Sequence, residues 1–397
     1  MSSTSDILVI GGGIAGLSVA ATLARNASVT LIEAEEQTGF HTSGRSATMF
    51  HYALGNPLIR ALTRASRPLF DAPPDGFSEA PLGHQATVLV HARADELDAL
   101  AKDEAAMAPF THLERLDESG IARLCPLLRV GEGGAMRALA DHDCLRLDQH
   151  ALMQGYGRQL RARGGRIVKG ARASRLVRRS GVWSVTSERG EDFLAPVIVN
   201  AAGAWADGVA KLAGVAPIGL RPLRRTIITF DAPGGTDLAH LPFTKTVGDE
   251  LYFGPESGRL LASPMDEEPS EPCDSQPDDL AVATAAHRME ERTTVEVRHI
   301  HAKWSGLRTF TPDRVPAVGY APNADGFFWL AGQGGSGLQT APALSAVAAA
   351  LVERRSCPVE GVDLGLLTPA RFAGQSAEVD PALADQREQP IRGDFDR

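Results

Sequence analysis

Two glycine-rich segments hold the residues of this chain whose types and spacing best suit ligand chemistry. The first, Gly11-Gly12-Gly13-Ile14-Ala15-Gly16, fits G-x-G-x-x-G. Gly11 permits a tight turn out of a strand, Gly13 lets backbone approach a pyrophosphate, and Gly16 lets a helix pack close to the strand. The helix start then offers free N–H groups and a partial positive charge to phosphates. Glu33 stands 22 residues after Gly11, where an acidic side chain accepts hydrogen bonds from a ribose. The second segment, Gln333-Gly334-Gly335-Ser336-Gly337, lies some 300 residues later and also opens a helix. A large cofactor explains two remote glycine-rich elements better than a small one. The polar loop His41-Thr42-Ser43-Gly44-Arg45-Ser46-Ala47 stands where NAD enzymes of this type usually complete a parallel half. FAD is therefore expected, with the late N–H groups near its flavin.

The elements that must position these residues follow from periodicity. Ile7–Ile10 and Ser28–Glu33 read as strands flanking a helix over Gly16–Ala27. Further helices are expected at Asp95–Met107, Asp117–Leu124, Gln149–Arg163, Ala206–Leu212, Asp278–Arg292 and Ala341–Arg354. Strands are expected at Ala86–Val90, Arg166–Lys169, Val182–Val185, Pro196–Asn200 and Phe327–Gly332. Between 216 and 300 short strand candidates (Thr226–Phe230, Glu250–Phe253, Leu260–Ala262) alternate with Pro- and Gly-rich turns. The acidic stretch Asp266 to Asp279 reads as a solvated connection or as a lid.

Composition sets bounds. The 397 residues exceed one simple core, and the net charge of −9 argues against nucleic acid as partner. No uncharged apolar run approaches the roughly 20 residues of a membrane span. Four cysteines, none in a CxxC pair, argue against a metal site and fit a reducing, cytoplasmic setting.

At this point the chain resembles the D-amino acid oxidase superfamily of FAD enzymes, and within it the bacterial D-arginine dehydrogenase group. The likeness runs over residues 5 to 370. It rests on Gly11 to Gly16 with Glu33, the loop Thr42 to Ala47, the strand end Val199-Asn200-Ala201-Ala202-Gly203-Ala204-Trp205, the pair Arg224-Arg225, Trp304-Ser305-Gly306-Leu307-Arg308, and Gln333 to Gln339. The resemblance implies non-covalent FAD, since Ser305-Gly306-Leu307-Arg308 stands where relatives with covalent flavin carry a cysteine. It implies cofactor contacts from Gly11, Gly13, Ile14, Ala15, Gly16, Glu33, Ala34, Thr42, Ser43, Gly44, Arg45, Ser46, Ala47, Ala173, Ala202, Gly203, Trp205, Gly334, Gly335, Ser336, Gly337, Leu338 and Gln339. It implies that Arg308 and Tyr252 fix a substrate carboxylate, with Arg225 nearby and Gly335 beside them. A guanidinium binds a carboxylate bidentately and a phenol adds a third hydrogen bond.

Departures from the family pattern bear on the substrate. Met49 stands in place of an active-site His, Leu54 in place of a lid Tyr, and Gly83-His84-Gln85-Ala86-Thr87-Val88 contains no acid for a cationic side chain. A guanidinium substrate would lose its partner there, so D-arginine is not expected. His51 is the one titrating candidate in that loop, as a catalytic group or a structural one. The implied fold is α/β with an α+β second domain. A Rossmann-like FAD domain takes 1–80, 145–215 and 301–370, an antiparallel-sheet substrate domain 81–144 and 216–300, and a polar tail 371–397. The implied reaction takes a D-amino acid to an imine and then a 2-oxo acid, with oxygen or a quinone as acceptor. A sarcosine-like secondary amine or a 2-hydroxy acid would use the same anchor, and a flavin-binding subunit without turnover is the remote alternative.

Overall fold

The computed structural model of the protein describes residues 3–374. Its organising element is a six-stranded sheet in the order Ala317–Tyr320, Phe327–Ala331, Val197–Asn200, Ile7–Ile10, Val29–Ile32, Arg166–Val168. Every pairing is parallel except that of the edge strand Ala317–Tyr320. Ile7–Ile10 and Val29–Ile32 are unbroken apolar runs because both of their faces are covered. Helices Ile14–Leu23, Gln149–Ala162 and Gly337–Val352 pack on one face. The other face carries a four-stranded sheet (Ser3–Thr4, Asp192–Ala195, Val182–Ser187, Ala173–Arg179) and helix Ala206–Leu212.

A second, ten-stranded sheet runs from Glu268–Pro269 through Arg221–Phe230, Arg259–Ser263, Tyr252–Glu256, Phe243–Thr246, Gly83–Ala92 and Arg137–Leu147 to Met49–Phe50. Ile300–Phe310 joins it along Arg221–Phe230, and Leu113–Leu116 along Arg137–Leu147. It is antiparallel throughout except where Phe243–Thr246 meets Gly83–Ala92. Helix Asp279–Arg292 covers one face. The other face, bearing Ile227 and Tyr252, packs toward Ala47 of the cofactor loop.

Several elements differ from expectation. The first helix begins at Ile14, two residues early, because the extended Gly13 serves as its N-cap, and it ends at Leu23. The last long helix starts at Gly337, so the glycine-rich segment feeds it directly. Helix Pro57–Asp71 falls in a stretch for which no element is expected. Asn56 accepts from the Ile59 N–H at 3.0 Å and Pro57 takes the first helical position, a start signal present in the sequence. Ile300–Phe310 belongs by pairing to the large sheet, not with the nucleotide-binding segments among which 301–370 is grouped. Sequence distance ties it to the late glycines, but ten register partners tie it to Arg221–Phe230. The expected tail 371–397 lies beyond the described residues except for its first four. Of these, Phe372 is buried and Arg371 pairs with Asp313 at 2.7 Å.

Candidate active site

Two cavities form one cleft at the carboxyl ends of the parallel strands. The first, about 310 Å³, is lined by Gly11, Gly13, Glu33, Ala34, Thr42, Ser43, Ala173, Ala202, Gly203 and Trp205 among others. The second, about 120 Å³, is lined by Gly13, Ile14, Ala15, Thr42 through Ala47 without Gly44, and by Arg225, Tyr252, Arg308, Gly334, Gly335, Gly337 and Leu338. They share Gly13, Thr42, Ser43, Ala201 and Gly203, so the cleft runs unbroken from Glu33 to Arg308.

The first cavity is built by glycines at positions that no other residue suits. Gly11 has φ +108°, and a Cβ on it would lie 2.5 Å from the Ala201 carbonyl oxygen. A Cβ on Gly16 would overlap the Gly11 carbonyl oxygen, so Gly16 acts through packing and does not line the cleft. The Leu17 N–H makes the first intrahelical bond, to Gly13 O at 2.9 Å. The N–H groups before it have no intrahelical acceptor. Ser43 Oγ accepts from that of Ile14 at 3.0 Å, while Ala15 lies open to the second cavity. Glu33 is held at the cavity wall, accepting from the Gly12 N–H at 2.5 Å and the Glu35 N–H at 2.8 Å. Trp205 stands across from it, its ring 4.5 Å from that of His41.

The second cavity lies against the large sheet. Arg225 and Ile227 project from one strand and Arg308 from its neighbour, where Leu223 pairs with Arg308 and Arg225 with Gly306. Period-2 alternation puts these side chains on one face. Arg225 is 5% exposed. Its Nε donates to the Asp266 carbonyl at 2.8 Å and Nη2 lies 3.3 Å from Glu267, but Nη1 has no partner. Burial first, and then the neighbouring Arg308 charge, push the Arg225 guanidinium down to about 10. The Tyr252 hydroxyl is buried and also unpartnered. No acid among the described residues lies within ion-pair distance of Arg308, and no acid lines this cavity. Unsatisfied buried donors beside an uncompensated cation make this wall chemically suited to an anion.

Some expected site residues lie elsewhere. His51 is buried against Phe243, outside both cavities. Burial first, and then Lys245, push its imidazole down to about 3, so it stays neutral near pH 7 and is not a titrating catalytic group. Gln339 is also displaced from the cofactor. Its amide exchanges hydrogen bonds with the His51 backbone at 3.3 Å and donates to Thr63 at 2.9 Å. Met49 packs at the margin of the apolar cluster around Tyr252, and Leu54 lines neither cavity. Ser336 turns its hydroxyl back to Gln333 O, and Gly44 supplies the carbonyl that Gln149 binds. Arg45 borders the second cavity, but its guanidinium is bound to Asp274 and three carbonyls. The cleft adds Glu35, His41 and Arg172 at one end and Ile227 at the other. Two of these had a usable signal: His41 opens the polar loop already singled out, and Ile227 stands two residues after Arg225 on a strand.

FAD fits this cleft. The open helix start and close-packed glycines suit a pyrophosphate, the Glu33 carboxylate a ribose, and the late glycine segment a flat ring. Among the described residues no helix is long and apolar enough to cross a membrane. Comparison with known proteins agrees with the geometry. The Bacillus subtilis protein called uncharacterized oxidoreductase YurR is 26% identical over 381 residues, covering 87% of this chain and 94% of its own. A D-amino acid dehydrogenase of Cereibacter sphaeroides is 28% identical over 325 residues, covering 75% and 68%. The crystal structure of glycine oxidase from Geobacillus kaustophilus superposes with a TM-score of 0.80 at 21% identity, covering 93% of this chain and 99% of that one. Residues 6–351 match the model of the family described as DAO, FAD dependent oxidoreductase, and the chain belongs to that family of FAD-binding oxidoreductases.

Proposed function

We propose that the protein oxidises a small amino acid with a neutral side chain, a D-amino acid in the first instance, to its imine, which water converts to the 2-oxo acid and ammonia. The observation that carries this reading is the second cavity's lining, among the described residues, by Arg225 and Arg308 with no acid, and the Tyr252 hydroxyl unpartnered beside them. A carboxylate there satisfies Arg308 bidentately and takes a third bond from Tyr252. Arg225 Nη1 faces the same anion. The absence of an acid argues against a cationic side chain such as that of arginine, whose desolvation would go uncompensated.

Held non-covalently, FAD would supply the acceptor for the hydride leaving the substrate Cα; no cysteine among the described residues lines either cavity. This chain's own residues contribute orientation. Arg308 and Tyr252 fix the carboxylate, and the large sheet fixes both side chains. Among the described residues no histidine or carboxylate lines the second cavity, so the amine is bound as its free base, its proton having gone to water.

The test is anaerobic bleaching of the flavin absorbance by D-amino acids, L-amino acids, sarcosine and 2-hydroxy acids. Fast bleaching by small D-amino acids, with D-arginine poor, is expected. Arg308→Lys keeps the charge but loses the fork, and is expected to lower kcat/KM about 100-fold, or about 2.7 kcal/mol, with FAD retained. Bleaching by secondary amines or hydroxy acids alone would move the substrate and leave the anchor. Rapid bleaching by D-arginine would overturn the neutral side chain. The reoxidation rate with oxygen against that with a quinone identifies the acceptor.

A further inference from the structure

We propose that Arg45 is a positioning residue that couples the cofactor loop to the substrate arginines through the segment 266–275. The kinetic part of this inference rests on the carboxylate reading above; the structural part does not.

Thr42 and Ser43 line both cavities, and Arg45 borders the second. Yet the Arg45 guanidinium binds protein on all sides. It pairs with Asp274 at 2.5 Å and donates to the carbonyls of Ser275 at 3.0 Å, Ser305 at 3.1 Å and Phe40 at 3.3 Å. Ser305 lies three residues before Arg308 on the same strand. The Trp304 indole N–H donates to the Arg45 carbonyl at 3.1 Å, and Thr42 Oγ1 donates to Leu307 O at 2.7 Å. The loop under the cofactor is thereby stitched to the strand that carries Arg308.

The segment leaving Asp274 ends at the other arginine. The Ser270 N–H donates to Pro222 O at 3.0 Å, and Glu268–Pro269 pairs with Leu223–Arg224. Glu267 bridges Arg225 at 3.3 Å and Arg314 at 2.8 Å. The Asp266 carbonyl takes the Arg225 Nε, and its carboxylate takes the Thr226 N–H at 2.7 Å and hydroxyl at 2.9 Å. Glu267 and Asp266 thus supply the partners that orient a buried cation, and such a cation needs them. A merely solvated acidic connection would not be fastened at both ends. The Asp274 side chain is 51% exposed, so its pairing contributes little to stability by itself. Its consequence is geometric: it fixes where the segment starts, and hence how Arg225 is aimed. Arg45 follows the cleft-lining Thr42 and Ser43, it holds the segment, and the segment holds Arg225.

The experiment compares holoenzymes carrying Arg45→Ala, Asp274→Asn and Arg45→Lys by hydrogen–deuterium exchange and by flavin-bleaching kinetics. Arg45→Ala is expected to speed exchange across 264–278 roughly tenfold or more. Substrate KM should rise about tenfold with kcat changed less than about threefold. Asp274→Asn, at an exposed position that tolerates the change, should show the same pattern more weakly. Arg45→Lys keeps the ion pair and should recover part of the effect. Wild-type exchange over 264–278 in both Arg45→Ala and Asp274→Asn overturns the proposal, as does lost kcat at unchanged KM. If no carboxylate substrate bleaches the wild-type flavin, the carboxylate reading fails, and the exchange result still decides the coupling.

Discussion

Gly335 lies directly over Arg308: a Cβ on residue 335 would sit 3.0 Å from the guanidinium carbon. The late glycine segment therefore does two things at once. It opens the helix Gly337–Val352, and it leaves the Arg308 guanidinium room at the wall of the second cavity. Gly335→Ala pushes on the free end of a long side chain, not on backbone. The fold and flavin content should survive, while KM for a carboxylate substrate rises about tenfold, or about 1.4 kcal/mol. Thermal melting and steady-state kinetics on the same sample check both halves. A melting point that collapses with KM unchanged would contradict the relationship.

Arg225 gives the site an alkaline limit. Burial and the adjacent Arg308 lower its guanidinium to about 10 in the free protein. A bound carboxylate favours the charged form, so substrate raises this value and binding takes up a proton where the free group is deprotonated. Affinity for a carboxylate inhibitor that carries no amine should be level below about pH 10 and fall above it. Arg225→Lys changes both the pKa and the fork geometry, so the break should move. The dependence of the inhibition constant of that amine-free carboxylate on pH from about 8 to about 11 measures it; a flat profile in the wild type would show that Arg225 does not contact the anion.

The two glycines of the first motif should fail in different ways. A Cβ on Gly13 would stand 3.2 Å from Ser43 Oγ, a side chain that can turn away. Gly13→Ala should fold, and its FAD dissociation constant should rise by tenfold or more because the methyl occupies the pyrophosphate approach. A Cβ on Gly16 meets the Gly11 carbonyl, which cannot move without the strand. Gly16→Ala should lose several kcal/mol of stability, on the order of an overpacked core or worse. Unfolding of the apoproteins, followed by titration with FAD, separates the two.

Acid should unfold the protein through its buried histidines. His51 and His91 are each pushed down to about 3, chiefly by burial. In the unfolded chain they titrate near 6.5. Between those values the unfolded state binds more protons, so stability is full above about pH 6.5 and falls as pH drops toward 3. The slope contributed is at most about 1.4 kcal/mol per pH unit for each histidine. Urea midpoints measured from pH 7 to pH 4 should decline, and less steeply in His51→Gln. An equal slope in the variant would mean that His51 is not the group responsible.

Much of the site was legible in the residues because its chemistry is local. The Gly11–Gly16 turn, the strand before it, Glu33 and the second glycine segment each depend on backbone conformation over a few residues, and each stands where spacing put it. What tertiary structure alone decided involves partners far apart in sequence. Asn56-Pro57 did signal a helix start, but Gln339 could be taken from the flavin only by seeing it bound to His51, 288 residues away. His51 could be seen as neutral only once burial and Lys245 surrounded it. Arg45 sits in a polar loop with glycine and serine beside it and is expected among the cofactor contacts by resemblance. The fold places Asp274 and Ser305 against it, more than 200 residues on, and a charge takes the partners that space supplies. Local sequence determines backbone that can receive a cofactor; the assignment of each buried charge waits on long-range packing, since its cost depends on everything that surrounds it.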